Sequence, residues 1–110
     1  MTAPTPLEVQ ARAMSERELM DYIRANVAEL HLAAFHAGDS RGSWGPGFPD
    51  LVIVGDHGIL FIECKREREA LQPLQVYWMM RLRRAGASPQ VWRPTEWLDG
   101  TIRKELEAIV

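Results

Sequence analysis

A chain of 110 residues in which 46% are apolar and 25% charged, with a formal net charge of -2, has the make-up of a folded globular protein. That length supplies one hydrophobic core rather than two. The composition excludes collagen-like and disordered classes, and no apolar run approaches the ~20 residues of a membrane span.

A single cysteine, Cys64, rules out an internal disulfide and a thiolate metal cluster within one chain. The start of the chain lacks the basic and apolar regions of a secretory signal, so a cytoplasmic location with no membrane partner is expected. The net charge is lower than that of most phosphate-binding domains. Carboxylates that hold a metal lower the total, however, and cations cluster at Lys65, Arg66, Arg68 and at Arg81, Arg83, Arg84. Charge alone therefore decides nothing about nucleic acid.

Residues 1–14 carry Pro4 and Pro6 with no clear period and are predicted to be a flexible lead-in to one domain spanning 15–110. Ser15 with Glu18 has the form of a capping box. Leu19, Ile23, Val27 and Leu30 follow at helical spacing, which predicts a helix ending near Glu29 to His31 with one stripe on a sheet. The run Leu32 to His36 is predicted as a first strand, and 39–47 as a Gly- and Ser-rich loop.

Leu51 to Val54 and Ile59 to Cys64, joined by a turn over 55–58, form a hairpin signature. Pro73 suits the first turn of a helix over 73–85, with Leu74, Trp78, Leu82 and Ala85 on its buried face and Gly86 at its stop. Gln90 to Arg93 reads as a short strand. Ile102, Leu106 and Ile109 mark a last helix with Asp99 as candidate N-cap. The order αβββαβα predicts an α/β (α+β) domain, a mixed sheet with helices packed on it.

Chemistry concentrates on the hairpin. Glu63 and Lys65 are two apart and project from the same face of a strand, with Leu60, Ile62 and Cys64 on the other. The hairpin brings Asp50, at the mouth of the preceding strand, back beside Glu63. Two carboxylates at one spot repel each other, and a hard divalent cation relieves this by taking their oxygens as ligands. Such a cation makes water a better nucleophile toward phosphorus, and it and a nearby ammonium stabilise the charge that develops on phosphate. The plain alternative is a turn aspartate and a solvated Glu–Lys pair protecting an edge strand, which the apolar run Ile59 to Ile62 argues against.

The stretch Gly47-Phe48-Pro49-Asp50, then Glu63-Cys64-Lys65, then Gln75 opening a helix resembles the PD-(D/E)XK nuclease superfamily, and its VRR-NUC branch in particular. The likeness runs from about Ser15 to Ile109 and includes Gln75-Val76-Tyr77-Trp78, Ala85-Gly86 and Val91-Trp92-Arg93-Pro94. It implies a restriction-endonuclease-like αβββαβ core with a C-terminal helix. It also implies Mg²⁺ or Mn²⁺ held by Asp50, Glu63 and the backbone carbonyl of Cys64, with Lys65 orienting water and Gln75 as a further site residue. Members of this superfamily often add an acidic residue from the first helix. Of Glu16 and Glu18, Glu16 falls inside the buried stripe at about 100° per residue, whereas Glu18 has the capping role.

The substrate implied by the resemblance is DNA, branched or structured, cut by a homodimer, since symmetric cutting of a junction calls for two sites. Ser40, Arg41 and Arg66 are candidates for phosphate contact, although Ser and Arg also serve solubility in loops. His36 has a similar pair of readings, as a base near the phosphate path or as an exposed residue at a strand end. The run Arg81, Arg83, Arg84 is either a DNA face or a solvated helix end. Trp44, Trp92 and Trp97 read as core or interface anchors rather than base-stacking platforms, with Trp97 as a candidate dimer contact. Two rival functions share the fold: a binding module without catalysis, and an RNA-cutting nuclease.

Overall fold

The computed structural model describes residues 2–37 and 44–110. Ser40 and Arg41 lie outside them. Two helices open the chain, α1 (Pro6–Ala13) and α2 (Glu16–Glu29), followed by β1 (Ala33–His36), β2 (Leu51–Gly55) and β3 (Gly58–Cys64). Then come α3 (Pro73–Arg84), β4 (Pro89–Trp92), α4 (Pro94–Leu98) and α5 (Thr101–Ala108).

The four strands form one sheet in the order β1-β2-β3-β4. β2 pairs antiparallel with both β1 and β3, and β3 pairs parallel with β4 across the α3 crossover. This is the mixed α+β architecture expected from the element order, and it has the restriction-endonuclease-like form that the resemblance implies.

Period-2 alternation on the central strands decides which face is dry. Leu51, Ile53, Leu60, Ile62 and Cys64 point to one side and are buried against the α2 stripe of Leu19, Ile23 and Val27 and against Ile102, Leu106 and Ile109. Arg103 of α5 reaches Asn26 and Glu29 of α2 and so fastens the two helices of this layer. On the opposite face, Phe48 stands edge-on to both Phe61 of β3 and Trp78 of α3.

Four local expectations are corrected. The segment 1–14 is not a loose lead-in: Thr5 and Glu8 form a capping box, Pro6 takes the first helical position, and Ala11 and Met14 are buried. The spacing Leu7, Ala11, Met14 was the periodic signal, too brief to stand out beside two prolines. Pro94 opens an extra short helix, α4, so Arg93 is its N-cap rather than the end of β4.

Asp99 ends α4 instead of capping α5. Gly100, at φ 87°, makes the turn between them, and the Asp99 carboxylate accepts the Thr101 amide at 2.9 Å. On α3 the covered residues are Gln75, Trp78, Met79 and Leu82, while Leu74 and Ala85 are exposed.

The hairpin turn and the C-terminal segment are in direct contact. A Cβ built on Gly55 would lie 1.9 Å from the Ile109 carbonyl oxygen, a backbone atom that cannot swing aside. Gly55→Ala is therefore expected to destabilise the protein by about 2 kcal/mol, seen as a lower denaturant midpoint at unchanged slope. An unchanged midpoint would show that this contact is not held in solution.

Candidate active site

The site is built where the approach to β2 meets the end of β3 and the start of α3. Gly47 has φ 88°, and a Cβ there would sit 2.7 Å from the Leu74 backbone, so only glycine lets this segment pass so close to α3. Trp78 donates its indole N–H to the Pro46 carbonyl at 3.1 Å, and Pro49 is fully buried. The chain is thus clamped on both sides just before Asp50.

Asp50 lies at the mouth of β2. Its Oδ2 accepts the Cys64 backbone N–H at 2.9 Å, which joins the two strands across the site. Burial raises the Asp50 pKa, against the lowering effect of that amide. Glu63, on β3, is 3% exposed. Its Oε2 accepts the Gln75 amide Nε2 at 2.8 Å and lies 3.8 Å from Lys65 Nζ. Its Oε1 is buried with no hydrogen-bond partner among the described residues.

Burial first, and then the neighbouring Asp50, push Glu63 up to about 8. At neutral pH and without a cation, this carboxyl holds a proton. Lys65 continues the same face of the strand and is 4% exposed, so its ammonium is confined beside the pair rather than reaching into solvent.

Gln75 is fixed at both ends of its amide, since Oε1 accepts the Gln72 N–H at 2.8 Å while Nε2 holds Glu63. It sits at N3 of α3, which places it over β3. Cys64 faces the core, and burial raises its thiol far above the usual range, so the side chain is neither nucleophile nor ligand. Only its backbone faces the site question.

Glu16 and Glu18 separate as the helical geometry required. Glu18 exchanges capping hydrogen bonds with Ser15, at 3.0 and 3.3 Å, and is exposed. Glu16 is half-buried, and its pKa is raised by burial and then by the charges of Asp50 and Glu69. It belongs to the electrostatic neighbourhood of the pair.

The described residues do not gather three or more His, Cys, Asp or Glu side chains into a ready-made cage. A cation here would take Asp50 and Glu63 and complete its shell with backbone carbonyl, water and phosphate, as Mg²⁺ commonly does. Two adjoining carboxyls and one buried oxygen without a partner among the described residues fit that demand.

Other sequence candidates fall at different distances from this centre. His36 is exposed and acts electrostatically on both Asp50 and Glu16. It lines a cleft of about 620 Å³ with Glu16, Arg17, Met20, Asp21, Arg24 and Asp50. Arg66 is exposed on the loop after Lys65, beside Arg12, Arg68 and Glu69. Arg81, Arg83 and Arg84 are exposed at the end of α3. Trp92 is buried and donates to Glu105 at 2.7 Å. Trp97 is half-buried and stacks on the exposed Tyr22 at 5.1 Å. Trp44 is fully exposed.

The family model of the VRR-NUC domain matches residues 3–95. The chain belongs to the VRR-NUC family. That family is part of the PD-(D/E)XK nuclease superfamily. Among solved structures, a VRR-NUC domain overlays with a TM-score of 0.68 and 26% identity, covering 83% of this chain and 97% of its own. The Holliday junction resolvase Hjc of Archaeoglobus fulgidus overlaps with a TM-score of 0.46 and 27% identity, over 64% of this chain and 63% of its own, and nothing about this chain follows from so partial an overlap. Among curated proteins none matches. No helix among the described residues is long and apolar enough to cross a membrane.

Sequence reasoning missed two residues of this VRR-NUC site. Glu69 lies 3.7 Å from Lys65 Nζ, and Arg93 grips the loop that carries it. Arg93 stood inside the Val91–Pro94 stretch of the resemblance without a role. Glu69 is four residues after Lys65, a spacing that identifies a partner in a helix but not in a loop.

The elevated Glu63 pKa sets a pH test of the metal-free protein. The unfolded chain releases this proton near the ordinary value of 4.5 and the folded chain near 8. Between those values the unfolded state binds fewer protons, so stability falls as pH rises and the full loss is present above 8. Glu63→Gln is expected to flatten this slope and to raise the thermal midpoint above that of wild type at alkaline pH. Parallel pH profiles for the two proteins would contradict a buried, proton-holding Glu63.

Proposed function

We propose that this chain is a divalent-metal-dependent endonuclease that hydrolyses DNA phosphodiester bonds, with branched or structured DNA as its substrate and a homodimer as its working form. The observation that supports this most directly is the buried pair of Glu63 and Lys65 with the half-buried Asp50 at the end of the hairpin, one Glu63 oxygen lacking a partner among the described residues. A binding module has no need of it. Burying two carboxyls and an ammonium together lowers stability unless they are paired or bind a cation.

Asp50, Glu63 and the Cys64 carbonyl would hold Mg²⁺ or Mn²⁺, which when bound supplies Lewis-acid stabilisation of the phosphate and lowers the pKa of water. Lys65 then holds the attacking water in line and offsets charge on the phosphate oxygens as they become more negative. Gln75 keeps Glu63 in one rotamer through its doubly tethered amide. Glu16 adds negative charge at the opening, which favours a cation over an empty site. Arg66 is the candidate for gripping a neighbouring phosphate from the loop after Lys65; Ser40 and Arg41 remain candidates on sequence grounds.

The preference for branched DNA follows from the resemblance to stand-alone VRR-NUC domains. Two symmetric cuts by a protein with one site per chain call for two chains.

The test incubates purified protein and Lys65→Ala with Mg²⁺ or Mn²⁺ and single-stranded, duplex, flap and four-way-junction DNA. Matched RNA substrates separate an RNA-cutting enzyme, and sedimentation with and without DNA gives the oligomeric state. Expected are cleavage abolished by chelator, a loss on the order of a hundredfold or more in Lys65→Ala, and a dimer mass. Folded wild-type protein that cuts no substrate with either metal would overturn the proposal in favour of a binding module.

A further inference from the structure

Lys65 lies between two carboxylates, and the proposed reaction uses only one of them. Nζ is 3.8 Å from Glu63 Oε2 and 3.7 Å from Glu69 Oε2. The Lys65 side chain is 6% exposed and that of Glu69 42%, so Glu69 approaches a buried ammonium from the solvent side. Glu69 lies on the segment between β3 and α3 and has no place in the Asp50–Glu63 pair.

That segment is held in a defined shape. Glu69 Oε1 accepts the Arg66 amide at 3.3 Å, and the Glu69 amide donates to the Arg66 carbonyl at 3.2 Å, which closes a turn. Arg93, the N-cap of α4, donates from one guanidinium nitrogen to the carbonyls of Arg66 and Glu69 at 2.7 Å each and of Glu67 at 3.4 Å. The Glu67 carboxylate accepts from the Thr95 amide at 3.1 Å and from its hydroxyl, tying the segment also to α4. A surface loop of solvated acids needs none of these ties.

A divalent cation that takes Glu63 occupies the carboxyl facing Lys65 and adds positive charge beside it. The ammonium then keeps its place only if another carboxylate holds it. We infer that Glu69 is a positioning residue that retains Lys65 at the site when the cation is bound, with Arg93 holding Glu69 in reach. This deepens the nuclease reading and rests on it for the cation. Glu69 is also a solvent-facing negative charge near Glu16 and Asp50, on the side from which a phosphate strand would reach Lys65. It therefore weakens substrate binding while it supports the chemical step.

Two readouts test this. The chain has two lysines, Lys65 and the exposed Lys104, so lysine-labelled protein gives two side-chain NMR signals, one of them an internal reference. With Mg²⁺ present, the wild-type Lys65 signal should stand apart from that of Lys104. In Glu69→Gln it should move toward the Lys104 signal, and Glu69→Asp, with the charge kept, should lie between.

In cleavage assays, Glu69→Gln should lose on the order of tenfold to a hundredfold in kcat, while KM stays level or falls. Arg93→Met should give a smaller loss in kcat that disappears in the Glu69→Gln background. A Lys65 signal that Glu69→Gln leaves unmoved, or a loss confined to KM, overturns the inference. Wild-type protein that cuts nothing overturns the nuclease reading instead, and the lysine signals in Mg²⁺ still decide the role of Glu69.

Discussion

A carboxyl and an ammonium, Glu63 and Lys65, have been drawn out of water with the half-buried Asp50 beside them, and the geometry around them follows from keeping them there. Burial makes both Asp50 and Glu63 harder to ionise, and the charge of Asp50 adds to this for Glu63. Charges buried in this way need hydrogen bonds and counter-charges from fixed places. The Cys64 amide supplies one for Asp50, and the Gln75 amide supplies one for Glu63. Glu63 and Glu69 between them flank Lys65. The partners come from β3, from α3 and from the segment between them, so the site exists only when hairpin and crossover helix are both in place.

That dependence explains the packing on the site's side of the sheet. The core face is an ordinary apolar layer in which Leu, Ile and Val residues of the strands meet α2 and α5. The other face is given to aromatics and a close backbone crossing. Phe48 and Trp78 hold the approach to Asp50 against α3, and Gly47 passes the Leu74 backbone at a distance no side chain permits. The glycine of the family-like Gly47–Asp50 stretch is thus a packing requirement that sets where Asp50 lies relative to Gln75. Stability is placed on one side of the sheet and the cost of buried charge on the other.

How much of this was legible in the sequence follows from how local each signal is. The α2 stripe, the hairpin and the bounds of α3 are written in short-range patterns, and the structure returns them nearly unchanged. The convergence of Asp50 on Glu63 was accessible because a tight hairpin leaves little freedom of register. The separation of Glu16 from Glu18 was accessible because helical geometry is regular.

What stayed hidden depends on tertiary partners. α1 is fixed by burial of Ala11 and Met14, and α4 opens at Pro94, directly after the strand. The tie from Arg93 to three carbonyls across 24 to 27 residues has no sequence signature at all.

The central claim is that the Asp50–Glu63 carboxyl pair is a cation site rather than a structural oddity, and calorimetric titration of Mn²⁺ into metal-free protein near neutral pH tests it most directly. Run in buffers of different ionisation enthalpy, the titration reports both stoichiometry and proton release. Because Glu63 holds a proton in the metal-free state, the expected result is Mn²⁺ uptake by each chain with release of about one proton, both lost in Asp50→Asn and Glu63→Gln. Uptake without proton release, or uptake unchanged in these variants, would contradict it.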